Sequence, residues 1–176
     1  VNFGAIGAVI GHEMTHGFDD QGKKYDSNGN LNNWWTDNDS MNYSNETNKL
    51  KELFNKFIIE GETVNGELTL GENIADLGGI SIVLESLKKY LENNPNENNM
   101  INGFNPYQRL FLSNARIWRS KSRSEDTKKR LLTDPHSPPI FRVNGNFINV
   151  NEFYSLFNLD ESSGLYLHPS KRTKIW

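Results

Sequence analysis

Between Gly4 and Phe18 the apolar positions run almost unbroken, and the run contains two histidines, His12 and His16. A buried helix is expected there, although Gly4, Gly7 and Gly11 each cost a helix about 1 kcal/mol relative to alanine. Glycine inside a helical pattern marks a place where another backbone comes close. From Asp19 to Trp35 the chain turns polar, with Ser27-Asn28-Gly29-Asn30 at its centre, a composition suited to turns. Apolar residues return at Leu50, Phe54, Phe57 and Ile58, one stripe of a helix. That helix is expected to be capped by Asp37 or Asp39, to reach about Ile59, and to end at Gly61.

After a short loop through Asn65-Gly66, a third helix is predicted from about Leu70 to Leu91. Its stripe carries Ile74, Leu77, Leu84, Leu87 and Tyr90-Leu91. Glu92 to Asn105 reads as an Asn-rich connector broken by Pro95 and Gly103. A fourth helix follows from roughly Pro106 to Ser120, with Tyr107, Leu110, Phe111, Asn114 and Trp118 on one face. Glu125 to Leu132 reads as a short charged helix. Pro135, Pro138 and Pro139 are expected to exclude helix and to make a rigid loop around His136. Asn149 and Glu152 have the spacing of a capping box opening a last helix to about Phe157. The expected fold is mainly α with few or no strands, as a single domain over residues 1–176.

Composition narrows the class. A chain of 176 residues can bury one core, and 35% hydrophobic with 11% aromatic residues excludes a disordered chain. The net charge is −3, with acids and bases interspersed, so neither nucleic acid nor an acidic membrane surface is an expected partner. No apolar run has the length of a membrane span. The opening Val1-Asn2-Phe3-Gly4 has no basic leader and no initiator Met, and reads as the middle of a longer chain. There are no cysteines, which rules out disulfides and thiolate ligands and fits a reducing, intracellular compartment.

Any metal site must therefore use His and carboxylates, and His12-Glu13-Met14-Thr15-His16 supplies both. Residues four apart share a helix face, so both imidazoles can reach one zinc ion while Glu13 sits beside a zinc-activated water. The alternative is two histidines four apart by chance, but unpaired imidazoles fit poorly in an apolar segment. A catalytic zinc needs a third protein ligand and an open position. Glu72 and Asp76, one turn apart on the third helix, are the candidates: Glu72 as ligand, Asp76 accepting from a ligand imidazole. The alternative for this pair is acids favoured by the helix N-terminus.

Several separated segments together resemble one family. Val1 to Gly22 (VNFGAIGAVIGHEMTHGFDDQG), Trp34-Trp35-Thr36, Leu70 to Gly79 (LGENIADLGG), Thr133 to Arg142 (TDPHSPPIFR) and Ile175-Trp176 are similar, in order, to the neprilysin and endothelin-converting enzyme family of zinc endopeptidases. The resemblance implies a zincin-like (thermolysin-like) catalytic domain, the C-terminal portion of a longer family chain, with one Zn2+ held by His12, His16 and Glu72. It implies that Glu13 is the general base, Asp76 orients a ligand imidazole, His136 steadies the oxyanion, and Arg142 grips a peptide carbonyl. Val9 and Trp118 would line an apolar pocket, so cleavage is expected on the amino side of hydrophobic residues. Asp19 is expected to support a ligand.

There are departures from the pattern. Thr173 stands about where familiar extracellular members carry a cysteine. Lys174 stands where Arg is usual, keeping the charge but not the bidentate fork. Ala8 replaces a larger residue and widens the expected pocket. The family's upstream region, a peptide-gripping segment and a helical lid, has no counterpart here and would come from elsewhere in a longer chain or from a partner chain. The rival to a peptidase is a non-catalytic zinc-binding module.

Overall fold

The computed structural model describes residues 1–175; Trp176, part of the resemblance above, lies outside the described residues. Seven α-helices and one two-stranded hairpin make up its regular structure. The first apolar segment is one continuous rod in three windings: a π-helical turn (Phe3–Gly7), α1 (Ala8–Thr15), and a 3-10 turn (His16–Phe18). It is buried on one face only. Gly4, Ala8, Gly11, His12 and Thr15 face inward, while Ile6, Val9, Ile10 and Met14 are exposed. The expected buried helix forms, with its burial limited to this inner face.

The glycines explain which face is inside. α1 crosses α3 (Leu70–Asn93) at Gly11 and Gly79. A Cβ on Gly79 would lie 2.7 Å from the Ala8 carbonyl oxygen and 2.9 Å from the His12 nitrogen, and one on Gly11 would lie 3.0 Å from the Gly79 Cα. The two backbones meet where neither has a side chain, which brings the histidine helix against the carboxylate helix.

α2 (Asp37–Phe54) is capped by Thr36, not by Asp37 or Asp39. The Thr36 hydroxyl accepts the Asp39 N–H and donates to the Asp39 carboxylate, the reciprocal use of short polar side chains favoured at helix starts. The helix ends at Phe54, short of Ile59. Ile58–Ile59 instead form β1, paired antiparallel with β2 (Glu62–Thr63). Glu60 and Gly61, with φ of 54° and 80°, make the two-residue turn with positive φ at both positions that closes such hairpins. Ile58 leaves the apolar stripe and is exposed.

α4 (Pro106–Ile117) carries a capping box between Asn105 and Gln108. The box expected at Asn149 and Glu152 does not form. Asn149 donates to the Gly145 carbonyl and accepts from Thr173, and α7 (Asn151–Phe157) starts without a side-chain cap. After α5 (Ser124–Thr133) comes a helix absent from the sequence reading, α6 (Pro139–Phe147). Pro139 occupies its first turn, where proline loses no hydrogen bond and its fixed φ suits the helix. The prolines confine the loop around His136 to a few residues and then start a helix. Phe147 of α6, Phe111 of α4 and Phe153 of α7 pack ring against ring, and Phe141 stacks on Phe57 at 4.5 Å. The Phe147, Phe111 and Phe153 rings pack α6 against α4 and α7.

Candidate metal centre

His12 and His16 lie one turn apart on the α1 rod, and Glu72 lies in the first turn of α3. Candidate ligand atoms of these three residues all fall within 4.8 Å of one another. His12 Nε2 is 3.0 Å from His16 Nε2 and 3.3 Å from Glu72 Oε2, and His16 Nε2 is 3.7 Å from Glu72 Oε1. Zinc bonds of 2.0–2.1 Å in a tetrahedral arrangement separate their donor atoms by about 3.3 Å. The spacing fits the ion.

The surrounding hydrogen bonds fit it as well. His12 Nδ1 is 2.8 Å from Asp76 Oδ1, and His16 Nδ1 is 2.7 Å from Asp19 Oδ2. A carboxylate only accepts, so each ring places its Nδ1 proton there. Both Nε2 atoms then direct lone pairs at a common point, alongside a carboxylate. Glu72 Oε2 is buried with no hydrogen bond, a costly state unless another group is bound. Burial resists a charge on His12, but hydrogen bonding to Asp76 and the contact with Glu72 outweigh it and raise the ring to about 9. Burial pushes Glu72 up, and the His12, His136 and His16 rings more than reverse that, holding it below the ordinary carboxylate range. Three acceptors converging on one point favour a cation there, whether metal or proton.

Asp19 is itself pinned: its Oδ1 accepts the backbone N–H groups of Gln21 and Gly22. Asp76 is shared. Besides His12 it accepts Nε and Nη2 of Arg142 at 2.7 and 2.8 Å. Arg142 is 8% exposed, so it is not the surface base that its residue type alone suggests. Its guanidinium lies 3.9 Å from the Trp118 ring centroid. His136 Nε2 is 3.2 Å from Glu72 Oε2. Its Nδ1 meets Asp134 Oδ1 at 2.7 Å, and that oxygen also accepts the His136 backbone N–H.

Beside the centre is a cavity of about 150 Å³ lined by Ala8, Val9, His12, Glu13, Asp76, Ile80, Asn114, Ile117, Trp118, His136 and Arg142. Glu13, Val9 and Trp118 thus share one opening with the candidate ligand His12. Trp118 is the C-cap of α4 and, half-buried, packs against the core at the end of its inward face. The tie of Asp134 to His136 was missed in sequence. Its only signal was an acid two residues before a histidine in a proline-bounded loop.

A family model described as Peptidase family M13 matches residues 1–173. Endothelin-converting enzyme 1 of Bos taurus is 39% identical over 177 residues, covering 100% of this chain and 23% of its own length. Neprilysin-11 of Caenorhabditis elegans is 37% identical over 180 residues, covering 100% of this chain and 21% of its own. Among solved structures, zinc metalloprotease Zmp1 of Mycobacterium tuberculosis, in complex with an inhibitor, has a TM-score of 0.95 at 46% identity over 99% of this chain and 27% of that one. PepO of Lactobacillus rhamnosis has a TM-score of 0.84 at 36% identity, covering 99% of this chain and 26% of that one. The mainly α, zincin-like fold is borne out. The chain spans about a quarter of the length of the proteins it matches. The absence of cysteines, read above as fitting an intracellular compartment, is corrected as a signal by the endothelin-converting enzyme and neprilysin relatives, which are membrane-bound or extracellular peptidases. A stretch covering a quarter of such a chain carries no compartment signal in its own cysteine count.

Proposed function

Because the chain belongs to peptidase family M13, we propose that residues 1–176 form the single catalytic domain of a zinc-dependent endopeptidase acting on peptides. His12, His16 and Glu72 would hold one Zn2+. Bound there, zinc supplies Lewis-acid polarisation of a scissile carbonyl and lowers the pKa of a water. Glu13 stands beside the ligand His12 on the cavity wall, within reach of a water to deprotonate and of a leaving amine to protonate. His136 would act as the imidazolium, its Nδ1–H held by Asp134 and its Nε2–H facing the site to donate to the developing oxyanion. Arg142 has N–H donors beyond the two that Asp76 takes, and these grip a peptide carbonyl with charge-assisted bonds. Val9 and Trp118, with Ala8, Ile80 and Ile117, give the cavity an apolar wall, suited to a hydrophobic side chain following the cleaved bond.

The observation that carries this reading is the convergence of two Nε2 lone pairs and the Glu72 carboxylate on one point, with Glu13 beside it. The test is hydrolysis of a fluorogenic peptide with a bulky hydrophobic residue after the scissile bond, with and without a chelator. Cleavage that the chelator abolishes supports the peptidase. Zinc bound in stoichiometric amount with no cleavage supports the rival, a non-catalytic zinc module. The chain covers 23% of the length of endothelin-converting enzyme 1, and the outward face of the first helical rod, carrying Ile6, Ile10 and Met14, is exposed. Further family chain, or a partner chain, would cover that face and complete the cleft.

A further inference from the structure

His136 sits on a short loop between α5 and α6, with Pro135 before it and Pro138 after Ser137. Neither proline has a backbone N–H to anchor it. Asp134 orients the ring but belongs to the same loop, so it cannot set the distance from that loop to α3. The contact between His136 and Glu72 cannot set it either, because the proposed chemistry commits Glu72 to the metal and His136 to the substrate. Something that does not change during the reaction must hold the loop.

A buried pair next to both residues does so. Ser137 Oγ donates to Asn73 Oδ1 at 2.8 Å. Asn73 is 0% and Ser137 2% exposed, and each directly follows a site residue, Glu72 and His136. The amide is not free to turn: Asn73 Nδ2 donates to Thr69 Oγ1 at 3.0 Å, and Thr69 Oγ1 in turn donates to the Asn65 carbonyl. Its oxygen therefore faces Ser137. Further along, the bond from Arg142 to Asp76 fastens α6 to the same helix, so the chain that follows His136 is tied to α3 twice. A buried amide and hydroxyl add little net stability over apolar groups of the same shape. What they add is direction.

We propose that the Asn73–Ser137 hydrogen bond is a positioning clamp that holds the His136 imidazole in register with the metal ligand Glu72. The proposal rests on the zinc-peptidase reading for its kinetic consequence. Neither residue touches the substrate; both act through His136.

In the zinc-loaded protein, Ser137→Ala lowers kcat for a hydrophobic peptide by roughly tenfold to a hundredfold, the scale of a misplaced catalytic group. KM and zinc content stay the same. Asn73→Ala removes the acceptor from the other side and gives the same loss, so it serves if Ser137→Ala fails to fold. Ser137→Thr, which keeps a hydroxyl, retains most of the activity. In a His136→Ala background, Ser137→Ala costs nothing further. A second readout needs no turnover: diethyl pyrocarbonate modifies His136 several-fold faster in Ser137→Ala than in the parent, followed by mass spectrometry. An unchanged kcat, an equal further loss in the His136→Ala background, zinc loss in step with kcat, or an unchanged modification rate overturns the clamp. If the parent cleaves no peptide, the peptidase reading has failed, and the modification rate alone decides the clamp.

Discussion

At the residue scale, the site works by dividing the two nitrogens of each imidazole between different partners. Asp76 and Asp19 take the Nδ1 protons of His12 and His16, which leaves both Nε2 atoms to serve as donors to a cation. In metal-free protein near pH 7 a proton takes that place, since His12 is raised from 6.5 to about 9. The raised value means the charged ring stabilises the metal-free fold fully below 6.5, and this contribution is lost as pH rises through about 9. Zinc has to displace the proton. Uptake at pH 7 is expected to release about one proton per ion, measured by calorimetry in two buffers of different ionisation enthalpy. Affinity should climb with pH up to about 9 and level off beyond; a flat profile would contradict the assignment. Glu13 is exposed and takes no part in the ligand set. Glu13→Gln is therefore expected to keep zinc while losing hydrolysis by at least about a hundredfold, read from metal analysis and peptide assay on the same sample.

At the element scale, the crossing of α1 and α3 decides whether the ligands meet. Gly79→Ala puts a methyl group within 3 Å of the Ala8 carbonyl and the His12 nitrogen, so the helices must separate. Overpacking of this kind costs about 1–3 kcal/mol. Because the moved backbone carries His12, zinc affinity should fall along with the unfolding temperature, measured by chelator competition and thermal melts. Exposed Gly17, where a Cβ meets nothing within 4 Å, is the control. α6 matters in a similar way, since it delivers Arg142 to Asp76.

At the scale of the whole molecule, binding a ligand that prefers the folded state adds stability. Zinc at a thousandfold over its dissociation constant contributes about 4 kcal/mol, and a chain of this size gains about 2–4 °C per kcal/mol. Zinc is expected to raise the melting temperature by about 10 °C in calorimetry, and chelation to reverse it. An unaltered melt with zinc bound would mean that the site is held together without the ion. The outward row of Ile6, Ile10 and Met14 along the first helical rod belongs to this scale also: nothing within residues 1–175 covers it, and the matched proteins are about four times longer.

Local spacing carried the chemistry of the centre in plain sight: a His pair four apart, a carboxylate pair four apart, and glycines where the two helices meet. Those patterns were legible because helix periodicity is a local property. The family's motifs added His136, Arg142, Val9 and Trp118, which no periodicity could single out. Boundaries and caps were less legible. Thr36 beats its acidic neighbours as a cap, and Pro139 starts a helix instead of forbidding one, because each outcome depends on what the neighbouring turn can bond. The links from Asp134 to His136 and from Asn73 to Ser137 fall between residues whose types are unremarkable in sequence. Arg142 reads as a surface base until α6 folds against α3. Partners 64 and 66 residues apart are brought together only by the packing of helices whose order in the chain says nothing about which faces will touch.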